Sequence, residues 1–354
     1  MRVRTLMAIT VALAIALAAC GSESSPSSSK PSKGGTVTLV AHDSFLVSKP
    51  VLRAFERQSG LKVKVLKNGD AGAALNQAIL TKGAPLGDVF FGVDNTFLTR
   101  ALAAGIFVPY SAKGLDRVPT KLQLDPTHHI TPIDAGDVCV NFDKAWFARE
   151  GIPLPKTLDD LAKPAYKGRL AVENPATSSP GLAFLLATVA RYGENGWQGY
   201  WKRLRANGVK VVDGWEQAYN AEFSGAAGKG AYPLVVSYAS SPPAEVYFAD
   251  PQPAEAPTGT LTGTCFRQVE FAGVLKGAAH PDAAKRVIDF MLTERFQADV
   301  PLQMWVFPAR TGTPLPPVFV KFAAVPSHPF AISAAAIGKH RDAWIRQWTT
   351  TVLR

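Results

Sequence analysis

The sequence predicts an α/β protein built from two lobes. After Gly35, short β-branched or alternating segments take turns with helix-like segments, which is typical of an α/β architecture with mostly parallel sheets. The chain also has 354 residues, and chains beyond roughly 250–300 residues usually divide their hydrophobic core between domains. We expect 36–137 together with 268–354 to form lobe I, and 138–267 to form lobe II.

The strand-like segments are short and rich in β-branched or alternating apolar residues. They are, in chain order, 36–40, 61–66, 88–93, 138–142, 169–172, 209–212, 233–238 and 268–275. The helix-like segments carry apolar residues at helical spacing, and the first has Pro50 near its start and Gly60 at its end. They are 50–60, 71–82, 96–104, 181–191, 197–206, 216–223 and 282–293.

The first 35 residues predict an export signal and a tether. Arg2 and Arg4 precede an apolar run of about 14 residues, which is too short to span a bilayer, so 1–19 is predicted to be a signal peptide. The run ends in Leu-Ala-Ala-Cys, which resembles a bacterial lipobox with Cys20 as the lipidated residue. An ordinary signal peptide with a cysteine at its cleavage site is the alternative. Because 22–35 carries no apolar side chain, 20–35 is predicted to be a flexible tether. We expect a lipoprotein anchored to the outer face of the cytoplasmic membrane.

Composition and charge exclude several classes of protein. A chain with 47% apolar and 19% charged residues is not an acidic disordered tail, a fibrous repeat or a disulfide-dense mini-protein. The net charge of +10 raises the question of nucleic acid. The lysines and arginines are scattered, however, so we expect no nucleic-acid partner. We also expect a monomer.

Three cysteines are present, and two remain once Cys20 is assigned to lipidation. In an oxidising compartment, Cys139 and Cys265 would often pair. Two buried free thiols are the alternative. If the two cysteines lie on the segments that pass between the lobes, they would be side by side.

The signatures of common enzymes are missing. The chain has no GxSxG, no GxxxxGK[ST] and no HExxH. The adjacent His128 and His129 would point to opposite faces of an extended segment, which favours solvated loop residues over a metal site. We therefore expect no enzymatic activity, no metal and no cofactor, although a catalytic triad need not be contiguous in sequence.

Small polar residues follow the predicted strands or precede a helix, and ligands of open parallel sheets bind at the carboxyl ends of the strands. A helix start preceded by two serines can bind a phosphate through free N–H groups, although simple N-capping is the alternative. These candidate residues are His42, Asp43, Asp70, Ala71, Ser178 and Ser179.

Three aromatic residues lie at the ends of predicted elements instead of inside a helical pattern. They are Trp215, Tyr238 and Trp305. Flat aromatic faces would hold a flat cationic ring, with each contact contributing about 0.5–2 kcal/mol. Together with the carboxylates of Asp43 and Asp70 and the helix start at the two serines, they predict a ligand with a cationic aromatic part, with or without a phosphate.

Seven motifs in sequence order carry a resemblance: AHDSF, GDAGAALN, GDVFFGVDN, NPATSSPGL, DGWEQAY, SYASSP and QMWVFP. The succession resembles the thiamine-binding proteins of bacterial ABC importers, within the type II periplasmic solute-binding protein family. The resemblance extends from about residue 36 to the C-terminus. It implies a two-lobed fold with hinge strands between the lobes. Such a protein would capture thiamine, or a thiamine phosphate, between the lobes and deliver it to the permease of an ABC importer.

The resemblance also implies roles for particular residues. Stacking falls on the three aromatic residues. Contacts to the pyrimidine or to the phosphate side of the ligand fall on Asp70 and Ala71, on Ser178 and Ser179, and on the segment Tyr238, Ala239, Ser240, Ser241 and Pro242. His42 stands where the family often has Tyr. The replacement would remove one stacking face or add a titratable group, and it counts against binding of the phosphorylated forms. Iron-binding relatives use paired tyrosines, and Tyr238 has no adjacent Tyr, which argues against a metal. A polyamine, a phosphonate or an iron complex on the same fold, and a lipid-anchored hydrolase, are the alternatives.

Overall fold

The computed structural model describes residues 35–227 and 229–354. The predicted signal peptide, Cys20 and all of the tether except Gly35 lie outside the described residues, and these remain predictions. Within the described part of the chain, no helix combines the length and the apolar character that crossing a membrane requires.

The described residues contain ten strands, all in one sheet. They are β1 Thr36–Ala41, β2 Lys62–Lys67, β3 Val89–Asp94, β4 Phe107–Val108, β5 Thr131–Asp143, β6 Leu170–Glu173, β7 Lys210–Val212, β8 Leu234–Tyr238, β9 Thr258–Leu275 and β10 Phe307–Pro308.

Helices connect and cover these strands. Those in the described residues are α1 Lys49–Ser59, α2 Ala71–Leu80, α3 Leu98–Ala104, α4 Lys144–Glu150, α5 Leu158–Leu161, α6 Ser179–Tyr192, α7 Trp197–Ala206, α8 Trp215–Gln217, α9 Pro242–Tyr247, α10 Pro281–Met291, α11 Glu294–Gln303, α12 Pro317–Phe322 and α13 Ala334–Val352. A π-helix, Ala218–Glu222, continues α8, so the predicted helix 216–223 has two parts. Short 3-10 helices occupy Leu115–Arg117, Thr120–Leu122 and Pro164–Tyr166.

The sheet has the order β2-β1-β3-β9-β5-β8-β6-β7. At one end β1 pairs in parallel with β2 and β3, and at the other β6 pairs in parallel with β7 and β8. The long strands β5 and β9 join these parts, and they pair antiparallel with each other and with β8 and β3. The two-lobed α/β prediction with connecting strands is therefore confirmed. The expectation of a mostly parallel sheet is wrong, because the strands that cross between the lobes run against their neighbours.

The exact limits of the lobes remain a prediction, since the described residues form one compact unit by their internal contacts. The element prediction succeeds for most short strands and fails for the two long ones. β5 begins at Thr131 and β9 at Thr258, whereas the sequence predicts starts at 138 and 268. The missed stretches contain Pro132, Asp134 and Gly259, residues that strands disfavour. The pairing of β5 with β9 along these stretches overrides that preference.

A disulfide joins Cys139 on β5 to Cys265 on β9. Both residues are buried beside Ala239. The structure thus contains the pair that the sequence predicts, on the two strands that connect the lobes. The disulfide fixes the two connecting strands to each other close to the end of β8.

Candidate functional site

One cavity between the two lobes brings together eight of the residues predicted for the site. It encloses about 540 Å³ of space between protein atoms, including its opening to solvent. The predicted residues on its wall are His42, Asp70, Ala71, Ser179, Trp215, Tyr238, Ser241 and Trp305. Trp215, Tyr238 and Trp305, from three different parts of the chain, therefore share one cavity.

Asp70 connects the lobes at this cavity. It caps the N-terminus of α2, with its Oδ1 accepting the Ala71 N–H at 2.6 Å, while its Oδ2 accepts the Trp215 N–H at 2.8 Å. Burial raises the pKa of the Asp70 carboxyl above its usual value, although the hydrogen bonds from Trp215 and Ala71 act in the opposite direction. The start of α2 also packs closely on the other lobe, because a Cβ on Gly72 would lie 2.7 Å from the Thr177 carbonyl oxygen.

Trp215 begins α8, directly after the short strand β7 and a two-residue turn. Its indole Nε1 donates to Ser237 Oγ at 2.9 Å, and that hydroxyl also bonds Ser241 Oγ. The indole stacks on Tyr219 with ring centres 5.1 Å apart and meets the Tyr238 ring edge-on at 6.4 Å. The side chain is therefore held in place by polar and aromatic contacts.

Tyr238 is the last residue of β8 and faces β5 across the sheet. Gly136 on β5 leaves the room that its ring occupies, because a Cβ there would lie 3.0 Å from Tyr238 Cδ1. Burial first, and then the negative charges of Glu270 and Asp70, raise the pKa of the Tyr238 hydroxyl well above its usual value. The phenol therefore lies in a region of negative potential.

Trp305 follows α11 with a φ of 58°, a left-handed conformation that bulky residues rarely adopt. The Ser240 hydroxyl donates to the Trp305 carbonyl at 2.6 Å and holds this backbone from the other lobe. The indole packs against Tyr247 and Phe248, each with ring centres 5.5 Å away. Strained residues concentrate at ligand sites, where the surrounding structure holds them.

The two serines at the start of α6 are committed to protein contacts. Ser178 is buried and caps the helix by accepting the Gly181 N–H at 3.4 Å. The Ser179 hydroxyl bonds the Asp94 carboxylate, which Gln268 also contacts at 2.6 Å. The N-capping alternative therefore describes Ser178, and Ser179 joins a buried polar network that includes residues of both predicted lobes.

His42 follows β1 and pairs with Glu270, with 3.0 Å between Nε2 and Oε1. Burial alone would lower the pKa of His42, but the negative charges of Glu270, Asp70 and Asp43 outweigh burial and raise it above its usual value of 6.5. A protonated imidazole is thus favoured at this point of the wall.

Five predicted residues do not line the cavity. Asp43 is exposed and accepts the Gly69 N–H at 3.0 Å. Ser178 and Ser240 make the contacts described above, Ala239 packs on the disulfide, and Pro242 is buried at the start of α9. Because none of the five lines the cavity, we do not include them in the proposed set of ligand contacts.

Five further residues line the cavity and were missed by the sequence reasoning. They are Ser44, Pro180, Glu270, Met304 and Val306. Ser44, Pro180, Met304 and Val306 adjoin predicted site residues in the chain, so their position was available from the sequence. Glu270 lies within β9, and a carboxylate between the buried Val269 and Phe271 was the signal that could have found it.

The wall of the cavity carries more negative than positive groups. Asp70 and Glu270 contribute carboxylates, and among the described residues that line it there is no lysine or arginine. His42 is the basic side chain on this wall. In residues 35–227 and 229–354, no group of three or more His, Cys, Asp or Glu side chains is arranged to hold a metal ion. The cavity suits a flat, positively charged organic molecule.

A larger groove, of about 1420 Å³, opens on the surface between α1 and the α10–α11 segment. Lys113, Arg286, Arg295 and Arg310 contribute positive charge to it, and Asp289 and Glu294 contribute negative charge. None of the residues predicted for the site lines this groove.

Comparison with known proteins identifies the family. Residues 84–330 match the model of the family described as bacterial extracellular solute-binding protein. The chain belongs to this family. Its fold is that of the proteins that bind solutes outside the cytoplasm.

Several relatives of this solute-binding protein are named for one vitamin. Thiamine-binding periplasmic proteins of Brucella suis and Escherichia coli are each 28% identical to it, over 90% of this chain and 92% and 94% of their own lengths. A solved periplasmic thiamin binding protein superposes with a TM-score of 0.78 at 26% identity, covering 90% of this chain and 96% of that one. The predicted resemblance is confirmed. A more distant relative, iron uptake protein A1 of Synechocystis, is 24% identical over 84% of the chain.

Proposed function

We propose that this protein binds thiamine in the cavity between its lobes and delivers it to the permease of an ABC importer. The observation that carries the proposal is the wall of the cavity, where Trp215, Tyr238 and Trp305 lie beside the carboxylates of Asp70 and Glu270. Thiamine has a flat aminopyrimidine and a flat thiazolium ring with a permanent positive charge. Aromatic faces and carboxylates are the groups that bind such a ring. The names of the relatives support the same ligand.

Unphosphorylated thiamine is the preferred form in this proposal. A phosphate would need free donors, and Ser178 and Ser179 are already engaged in capping and in the bond to Asp94. The carboxylates on the wall would also repel a phosphate. Lipid anchoring through Cys20 and action as a monomer complete the proposal.

Calorimetric titration of the purified protein tests this function. We expect saturable 1:1 binding of thiamine, weaker binding of thiamine monophosphate, and no comparable binding of putrescine or ferric citrate. Putrescine tests a polyamine ligand, which carboxylates and aromatic walls would also suit. Ferric citrate tests the chemistry of the iron uptake relative. Tighter binding of either compound than of thiamine would refute the proposal.

A further inference from the structure

Three carboxyl side chains form a row across the middle of the sheet. In the strand register, Glu270 on β9 is the direct partner of Asp94 on β3 and of Asp134 on β5. Directly opposite residues on neighbouring strands project from the same face with Cβ atoms about 4.5–5.5 Å apart, and like charges there are destabilising. Ionisation of neighbouring carboxyls in this row would therefore destabilise the folded protein.

The three carboxyls differ in how well the protein satisfies them. Asp94 is fully buried and accepts hydrogen bonds from Thr96 and from Gln268. Asp134 is only 2% exposed, and its Oδ2 has no hydrogen-bond partner among the described residues. Burial, and after it the charge of Glu270, raises the pKa of Asp134 well above its usual value. Asp134 is thus a buried carboxyl beside Glu270, and one of its oxygens has no hydrogen-bond partner among the described residues.

Glu270 is the member of the row that reaches the cavity. Its side chain is 12% exposed and lines the wall that also carries Trp215 and Tyr238. His42 is its cationic partner at 3.0 Å. That one imidazole balances part of the negative charge of the wall, because the Asp70 carboxyl shares the wall with Glu270. The wall around Glu270 therefore accommodates another positive charge.

We propose that Glu270 is the residue by which the cleft distinguishes a positively charged ring from an uncharged ring of the same shape. This inference rests on the proposed function, because it assigns charge recognition within the same site. The aromatic side chains recognise the shape of the ring and would bind either form. A neutral ring would displace water from the Glu270 carboxylate without supplying a charge that compensates for the lost hydration. A cationic ring would instead form a charge pair with Glu270 where the dielectric constant is low.

Two ligands and matched variants test the inference. Calorimetry compares thiamine with an isosteric analogue in which carbon replaces the positively charged ring nitrogen. The variants are Glu270→Gln and, as a control, Glu294→Gln, whose side chain is 84% exposed and pairs with Arg310 away from the cavity. We expect the wild type and the control to bind thiamine at least about 30-fold more tightly than the neutral analogue. In Glu270→Gln the two affinities should become similar.

Two outcomes would overturn the inference. The first is an unchanged preference for thiamine in Glu270→Gln with normal thermal unfolding. The second is loss of the preference in Asp134→Asn but not in Glu270→Gln, which would assign the selection to Asp134. If Glu270→Gln does not fold, Glu270→Asp replaces it, and this variant is expected to show a reduced preference, with an unchanged preference counting against the inference. A wild type that binds neither ligand would instead refute the proposed function itself.

Discussion

Trp215 is fixed before any ligand arrives. Its N–H donates to Asp70, its indole donates to Ser237 and one ring face stacks on Tyr219. A side chain already held in one rotamer loses little conformational entropy when a ligand binds, so more of the contact energy appears as affinity. At the scale of the residue, this preorganisation makes Trp215 the most informative position to change.

Trp215→Ala or Trp305→Ala should weaken thiamine binding by roughly 1–3 kcal/mol, the scale of lost stacking together with lost apolar burial. Calorimetry measures the change. Trp215→Phe is the matched control, because it keeps a flat ring while losing the bond to Ser237, and its loss should be smaller. Unchanged affinity in both alanine variants, with unchanged thermal unfolding, would refute this placement of the ligand.

Most of the residues on the cavity wall could be predicted from the sequence, because they lie where elements end. Trp215 and Asp70 closely follow a strand and Tyr238 ends one, and such positions meet at one edge of a sheet. Glu270 could not be found in this way. It lies inside β9. Its place in the row of carboxyls depends on its partners on β3 and β5, which only the register of the sheet reveals.

At the scale of the element, β5 and β9 connect the lobes. They also contribute Asp134 and Glu270, two of the three carboxyl side chains in the row across the sheet. The sequence predicts only their most apolar parts, because local propensity opposes a strand at Pro132 and Asp134. Pairing of β5 with β9 along most of their lengths supplies the stabilisation that propensity does not. The disulfide between Cys139 and Cys265 links the same two strands covalently.

Asp134→Asn should stabilise the protein at neutral pH. The pKa of Asp134 is raised well above its usual 3.8 in the folded state. Below pH 3.8 this carboxyl is protonated in both the folded and the unfolded chain, so its titration does not lower the free energy of unfolding. As the pH rises above 3.8 the unfolded chain gains more from ionisation, and the folded wild type loses stability up to its own pKa. The amide removes that loss.

Thermal unfolding between pH 3.5 and pH 7 measures this effect. We expect the variant to unfold at a higher temperature than the wild type at pH 7, with a difference that disappears near pH 3.5. Asp282→Asn is the control, because that side chain is 91% exposed and should show no such dependence. A variant less stable than the wild type at pH 7 would contradict the cost assigned to Asp134.

At the scale of the whole molecule, the two predicted lobes meet around the cavity. The Asp70 carboxylate accepts the Trp215 N–H, and the Ser240 hydroxyl donates to the Trp305 carbonyl. These bonds join residues of the two predicted lobes across the cavity, as in a form that is closed around a ligand. A ligand that contacts both sides stabilises this form by its differential affinity for it. A permease that recognises the closed form would then receive loaded protein.

A crystal structure of the protein with thiamine tests the central claim most directly. We expect one thiamine between Trp215, Tyr238 and Trp305, with the positively charged ring facing Glu270. Thiamine in the groove between α1 and α10, or in the cavity with its charged ring turned away from the carboxylates, would contradict it.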